Sequence, residues 1–183
     1  GEILRLKDIK LAYGKQVAID LFISAGNKIH LKGGNGSGKS TLLKTIHGDL
    51  MPLSGEMSKA GKSIYLDQNF SFLKLDQDAV SNLQAFNSSI NATEWRTLLG
   101  QLRLRRDKGI MPLKYLSGGE RLKIALLGLS KHSEPIDLLL LDEPENHLDI
   151  DSRKLLAEAI ANFNGEVILI SHDAYFAMDC GIN

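Results

Sequence analysis

KIHLKGGNGSGKSTLLKTIHG, residues 28–48, decides the fold. KIHLK (28–32) reads as a short strand running straight into a glycine-rich loop at 33–38. STLLKTIHG then has the apolar spacing of a helix, with Gly48 placed to cap its C-terminus. Gly33–Ser40 matches G-x-x-x-x-G-K-[ST], in the strand–loop–helix setting that this motif requires. Its glycines let successive N–H groups converge on phosphate oxygens, and the helix start adds unpaired N–H groups and the positive end of its dipole. Lys39 would reach the β- and γ-phosphates of a nucleoside triphosphate, and the Ser40 hydroxyl would ligate Mg2+. A chance glycine turn followed by Lys-Ser would lack the flanking strand and helix.

A second stretch, LLLLDEPENHLD at 138–149, raises a different question. Four leucines in a row read as a strand buried on both faces of a parallel sheet. They end on two adjacent acids, Asp142 and Glu143, which repel unless something relieves them. One acid could simply mark where the chain meets water; two suggest a site, because ligands of open α/β sheets bind beyond the carboxyl ends of the strands. A bound Mg2+–triphosphate needs a carboxylate there, and Asp142 is placed to be it. Glu143 is then free to polarise an attacking water as general base.

The 183 residues suit one domain with a real core. Lys plus Arg and Asp plus Glu are both 22, so the net charge of zero argues against a free-standing nucleic-acid binder. The single Cys180 excludes an internal disulfide and is compatible with a reducing, cytoplasmic location. No apolar run approaches the roughly 20 residues of a membrane span, and the N-terminus does not resemble a signal peptide. The chain starts at Gly1 rather than Met, as an excised domain or a cloning remnant would.

Strands are expected at 2–6, 16–24, 28–32, 63–67, 137–141 and 166–171, with a turn at Tyr13-Gly14-Lys15. From about Asp76 to Ser130 the patterns are helical, one helix beginning near Asn91 and another running from Ser117 to about Leu129. Helices are also expected at 151–163 and 173–179. The chain therefore reads as a parallel α/β core, about 1–75 and 131–183, interrupted by a helical insert at about 76–130.

LSGGERLKIALL, from Leu116, opens with a capping box in which Ser117 is the N-cap and Glu120 sits at N3. That accounts for the Ser and the Glu. Gly118 and Gly119 remain unexplained, since each costs roughly 1 kcal/mol of helix propensity against alanine. They make sense if an anion must approach the helix start closely.

Together the phosphate loop, LSGGE, LLLLDEP, NHLD and ISHD resemble, in order and spacing, an ATP-binding cassette (ABC) ATPase domain over nearly the whole chain. LSGGER and DEPENHLD look like the ABC-F group, soluble tandem-cassette ATPases of which many act on the ribosome. The resemblance implies a P-loop NTPase core with a mostly parallel sheet, antiparallel strands at the N-terminus and an inserted helical subdomain. It also implies ATP binding and Mg2+-dependent hydrolysis. Tyr13 would stack on adenine, although an ordinary turn tyrosine fits the same position. Gly33, Gly34, Asn35, Gly36, Ser37, Gly38, Lys39, Ser40 and Thr41 would cradle the phosphates, Lys39 also serving catalysis. Gln68 would reach Mg2+ and the lytic water, beside Ser40 and Asp142. Glu143 would be the base and His172 the switch histidine at the γ-phosphate. His172 alone could be structural, but it closes another apolar strand at the same sheet edge. Asn146, His147, Leu148 and Asp149 would form the D-loop that meets a partner cassette, Asp149 also fitting the N-cap of the next helix. Ser117, Gly118, Gly119 and Glu120 would serve the nucleotide of that partner in a head-to-tail pair, so the glycines acquire a purpose.

The chain departs from the pattern in places. Glu145 stands where the group commonly has Thr, and Gly34 where relatives often carry Pro or Glu. The family normally adds a strand beyond Asn183, so a C-terminal truncation is expected. Between Gln68 and Ser117 there is no room for the extra arm of some first cassettes, which favours a second cassette. Two alternatives stay open: the nucleotide-binding domain of a membrane transporter, and a nucleotide-gated interaction module with little turnover. Intact Glu143 and His172 argue against the latter.

Overall fold

The four leucines of 138–141 divide between two cores. In the computed structural model, which describes residues 1–183 except Gln16, Arg105 and Asn183, they belong to strand β6 (Ile136–Asp142). β6 lies inside a parallel sheet ordered β3 (Lys28–His30), β7 (Glu166–Ile170), β6, β5 (Lys62–Asp67). Leu138 and Leu140 pack with Tyr65, Ile168 and Ile170 against helix α1 (Lys39–His47) and an antiparallel sheet. Leu139 and Leu141 pack with Val167 and Leu169 against helices on the other side. A strand covered on both faces needs apolar residues at every position, and each buried leucine contributes roughly 1.5–3 kcal/mol.

The antiparallel sheet has the order β2 (Ile19–Ser24), β1 (Glu2–Lys10), β4 (Ser54–Lys59). Two of these strands are expected from sequence; β1 runs longer than 2–6, and β2 begins at Ile19, Gln16 lying outside the described residues. β4, SGEMSK, escapes the sequence reading because it is polar and almost wholly exposed. Its register with β1, Leu4 opposite Lys59 and Lys7 opposite Glu56, is what makes it a strand.

Between β5 and β6 come α2 (Ala79–Phe86), α3 (Ala92–Gly100), two 3-10 turns (Arg106–Gly109 and Leu113–Tyr115) and α4 (Gly118–Ser130), with no strand among the described residues. Each helix starts on a side-chain cap: Asp78 accepts from the Ser81 N–H, Asn91 from Glu94, and Ser117 from Glu120. Their apolar faces close around the fully buried Trp95. α5 (Ile150–Ala161) and α6 (Ala174–Asp179) cover the same face of the parallel sheet. Among the described residues no helix is long and apolar enough to cross a membrane.

Candidate functional site

The phosphate-type loop leaves β3 and enters α1 at Lys39, with Gly38 as a left-handed N-cap (φ 96°). The Leu42 N–H donates to the Gly38 carbonyl at 2.8 Å, which starts the helix directly at the loop. The turn between β1 and β2 closes against it. A Cβ on Gly14 would lie 2.6 Å from the Gly38 Cα, and Gly14 itself has φ 97°, so this close approach requires glycine at both partners. The sequence reading treated Gly14 only as a turn residue; its signal was the Tyr-Gly pair.

One open cleft is lined by Tyr13, Gly14, residues 34–41, Asp142, Glu143, Ile170 and His172. Gly33 is not in the lining; its carbonyl accepts from the Lys39 ammonium, as does that of Gly34 at 3.4 Å. The Ser37 hydroxyl is buried without a hydrogen-bond partner among the described residues. A loop whose cation rests on its own carbonyls, and which holds an unsatisfied hydroxyl, is arranged to receive an anion.

The acids reach the cleft through sheet register. Asp142 stands opposite Asp67 on β5 and Ile170 on β7, and by strand alternation it points to the α1 side, as Leu138 and Leu140 do. There the Tyr65 hydroxyl donates to it at 2.6 Å, a partner the sequence did not reveal. Burial, and then this bond, raise the Tyr65 pKa above its usual value. Glu143 turns out of the strand in a left-handed conformation (φ 48°), its N–H donating to the Ile170 carbonyl at 2.8 Å. Such a conformation costs a non-glycine residue of order 1–3 kcal/mol and tends to persist where function needs it. It carries the Glu143 carboxylate to 2.7 Å from Nε2 of His172, which leaves β7 on the neighbouring loop.

Gln68 is not among the residues that line the cleft. It lies in the turn after β5, where Asp67 accepts from the Ser71 N–H at 2.9 Å and from its hydroxyl at 2.8 Å. That pairing occupies the Asp67 carboxylate. Ser40 and Asp142 do share the lining. A hydroxyl and a carboxylate are the hard oxygen donors that suit Mg2+, so the residues fit that ion. Among the described residues no group of three or more His, Cys, Asp and Glu side chains converges, so phosphates and water would complete its coordination.

Ser117, Gly118, Gly119 and Glu120 lie outside the lining, as do Asn146, His147, Leu148 and Asp149. Ser117 and Glu120 form the expected capping box, and hydrogen bonding from the Ser117 backbone holds the Glu120 carboxyl below its usual range. The two glycines have close neighbours in their own chain. A Cβ on Gly118 would meet Leu148 at 3.3 Å, and one on Gly119 the Ser152 hydroxyl at 2.4 Å. Packing of α4 on the start of α5 therefore explains part of what the sequence reading ascribed to an anion. Asp149 caps α5, accepting from the Ser152 N–H at 2.8 Å.

Comparison with known proteins agrees with this geometry. Residues 17–146 match the sequence model of a family described as ABC transporter. The chain is 35 % identical over 179 residues to the ATP-binding protein YheS of Escherichia coli (strain K12), covering 94 % of this chain and 28 % of YheS. It is 35 % identical to ABC transporter F family member 5 of Arabidopsis thaliana, covering 95 % of this chain and 26 % of that protein. The chain thus spans little more than a quarter of the length of these relatives. Its fold matches the post-hydrolysis dimer of the ATP-binding cassette MJ0796 with ADP and Pi, with TM-score 0.77 and 20 % identity, covering 97 % of this chain and 91 % of that one. A P-loop core with its helical insert, and a family match over most of the length, together make this chain a member of the ABC transporter family.

Proposed function

We propose that this cassette binds ATP with Mg2+ and hydrolyses it while paired head to tail with a second cassette. The observation that carries the reading is the convergence of residues 34–41 with Asp142, Glu143 and His172 on one cleft. In this reading Tyr13, 65 % exposed at the rim, stacks on adenine, and the loop N–H groups take the phosphates. Lys39 exchanges the Gly33 and Gly34 carbonyls for β- and γ-oxygens, a stronger charge-assisted pairing. Ser40 and Asp142 would hold Mg2+, which would neutralise phosphate charge. Glu143 gives up His172 to orient the attacking water, and His172 turns to the γ-phosphate. The D-loop and the Ser117–Glu120 helix start face a partner cassette, where that helix start completes the partner's site.

NHLD, together with F-family relatives, supports a finer proposal, that this is an ABC-F cassette; we further propose that the protein is soluble and cytoplasmic and that its cassettes act on the ribosome. Replacing Glu143 by Gln tests the central assignment, because the amide keeps shape while losing the base. ATP affinity should be kept, the chemical step should slow by roughly 10²–10⁴-fold, and an ATP-bound dimer should accumulate. Light scattering on a sizing column reads the dimer. Undiminished hydrolysis in the variant would remove Glu143 from the mechanism.

A further inference from the structure

Glu145 is an acid in the core. It is 1 % exposed, and among the described residues no ammonium or guanidinium is hydrogen-bonded to it. Its carboxylate accepts the Ser171 hydroxyl at 2.8 Å and 3.3 Å, joining the segment after β6 to the loop after β7. Ser171 also accepts the Asp173 N–H at 3.0 Å, and its carbonyl lies 2.9 Å from the His30 ring. On the far side of His172, Asp173 accepts from Arg153 of α5 at 3.1 Å and caps α6 through the Phe176 N–H. Both neighbours of His172 are thus tied down, one to the segment carrying Glu143 and one to the helix that follows it. The His172 side chain itself is 59 % exposed, with Nε2 2.7 Å from the Glu143 carboxylate.

We propose that Glu145 is a positioning residue for His172: through Ser171 it fixes the histidine loop to the loop that carries Glu143. The proposal rests on the reading that His172 meets the γ-phosphate. Burial raises the Glu145 pKa, while Ser171 and Arg153 pull it down and Glu143 adds to the rise. An acid kept in so costly a setting does more than fill space, since threonine or leucine would pack there without desolvating a charge.

A double-mutant cycle separates positioning from packing. Glu145→Leu and Ser171→Ala each remove the link from one side, and Glu145→Gln keeps an oxygen that accepts the serine hydroxyl. In the wild-type background Glu145→Leu should lower kcat roughly 10- to 100-fold, the scale of a misplacement of about 1 Å, with KM for ATP little changed. Glu145→Gln should restore most of it. In the His172→Ala background Glu145→Leu should cost less than about twofold, because the residue it positions is gone. Equal losses in the two backgrounds, or no loss in either, would overturn the proposal. Should Glu145→Leu fail to fold, the same comparison with Ser171→Ala decides. A His172→Ala variant with undiminished kcat refutes the γ-phosphate role instead, and the proposal with it.

Discussion

Tyr65→Phe isolates a single tertiary interaction at the site. The ring packs in the core, 6 % of the residue is exposed, and phenylalanine fills the same space. What disappears is the 2.6 Å hydrogen bond to the Asp142 carboxylate. Hydrogen bonds to charged groups are worth about 1.5–3 kcal/mol net. At 2–4 °C per kcal/mol for a chain of this size, Tm should fall by roughly 3–12 °C. The folded tyrosine has its pKa raised above the usual value of about 10, by burial first and then by the bond to Asp142. A raised pKa contributes stability that is fully present below the unfolded value and is lost as pH rises through the folded one. The Tm gap between wild type and variant should therefore be flat from about pH 7 to about 9 and narrow only in stronger alkali. Differential scanning calorimetry without nucleotide measures it. A gap under about 1 °C would show that Asp142 gains nothing from the phenol, and the reasoning would fail.

Two further substitutions address the loop. Gly14→Ala places a methyl 2.6 Å from the Gly38 Cα, where carbon atoms need about 3.5 Å or more, so the loop must move by roughly 1 Å. ATP affinity measured by calorimetric titration should drop by at least about tenfold, and an unchanged Kd would refute the contact. Lys39→Ala removes the cation that rests on the Gly33 and Gly34 carbonyls, and titration with labelled ATP and Mg2+ should find binding severely reduced.

Features whose causes lie within a few residues of one another were legible in the sequence. The strand–loop–helix at 28–48, the capping box of Ser117 and Glu120, and the N-cap at Asp149 are local arrangements of backbone and neighbouring side chains. The unbroken leucines of β6 likewise announce a strand covered on both faces, and with it the parallel sheet. Gln68 marks the boundary of this legibility: its place after a strand is readable, but the Asp67–Ser71 pairing across the turn it sits in is not. β4 became a strand only because β1 offered hydrogen bonds to a polar segment without apolar alternation. The contacts that shape the cleft join residues far apart in the chain: Tyr65 to Asp142 across 77 positions, Gly14 to Gly38, Glu145 to Ser171. Short-range pattern carries no trace of such pairs, because side-chain direction and register arise only when the sheet and its covering helices pack.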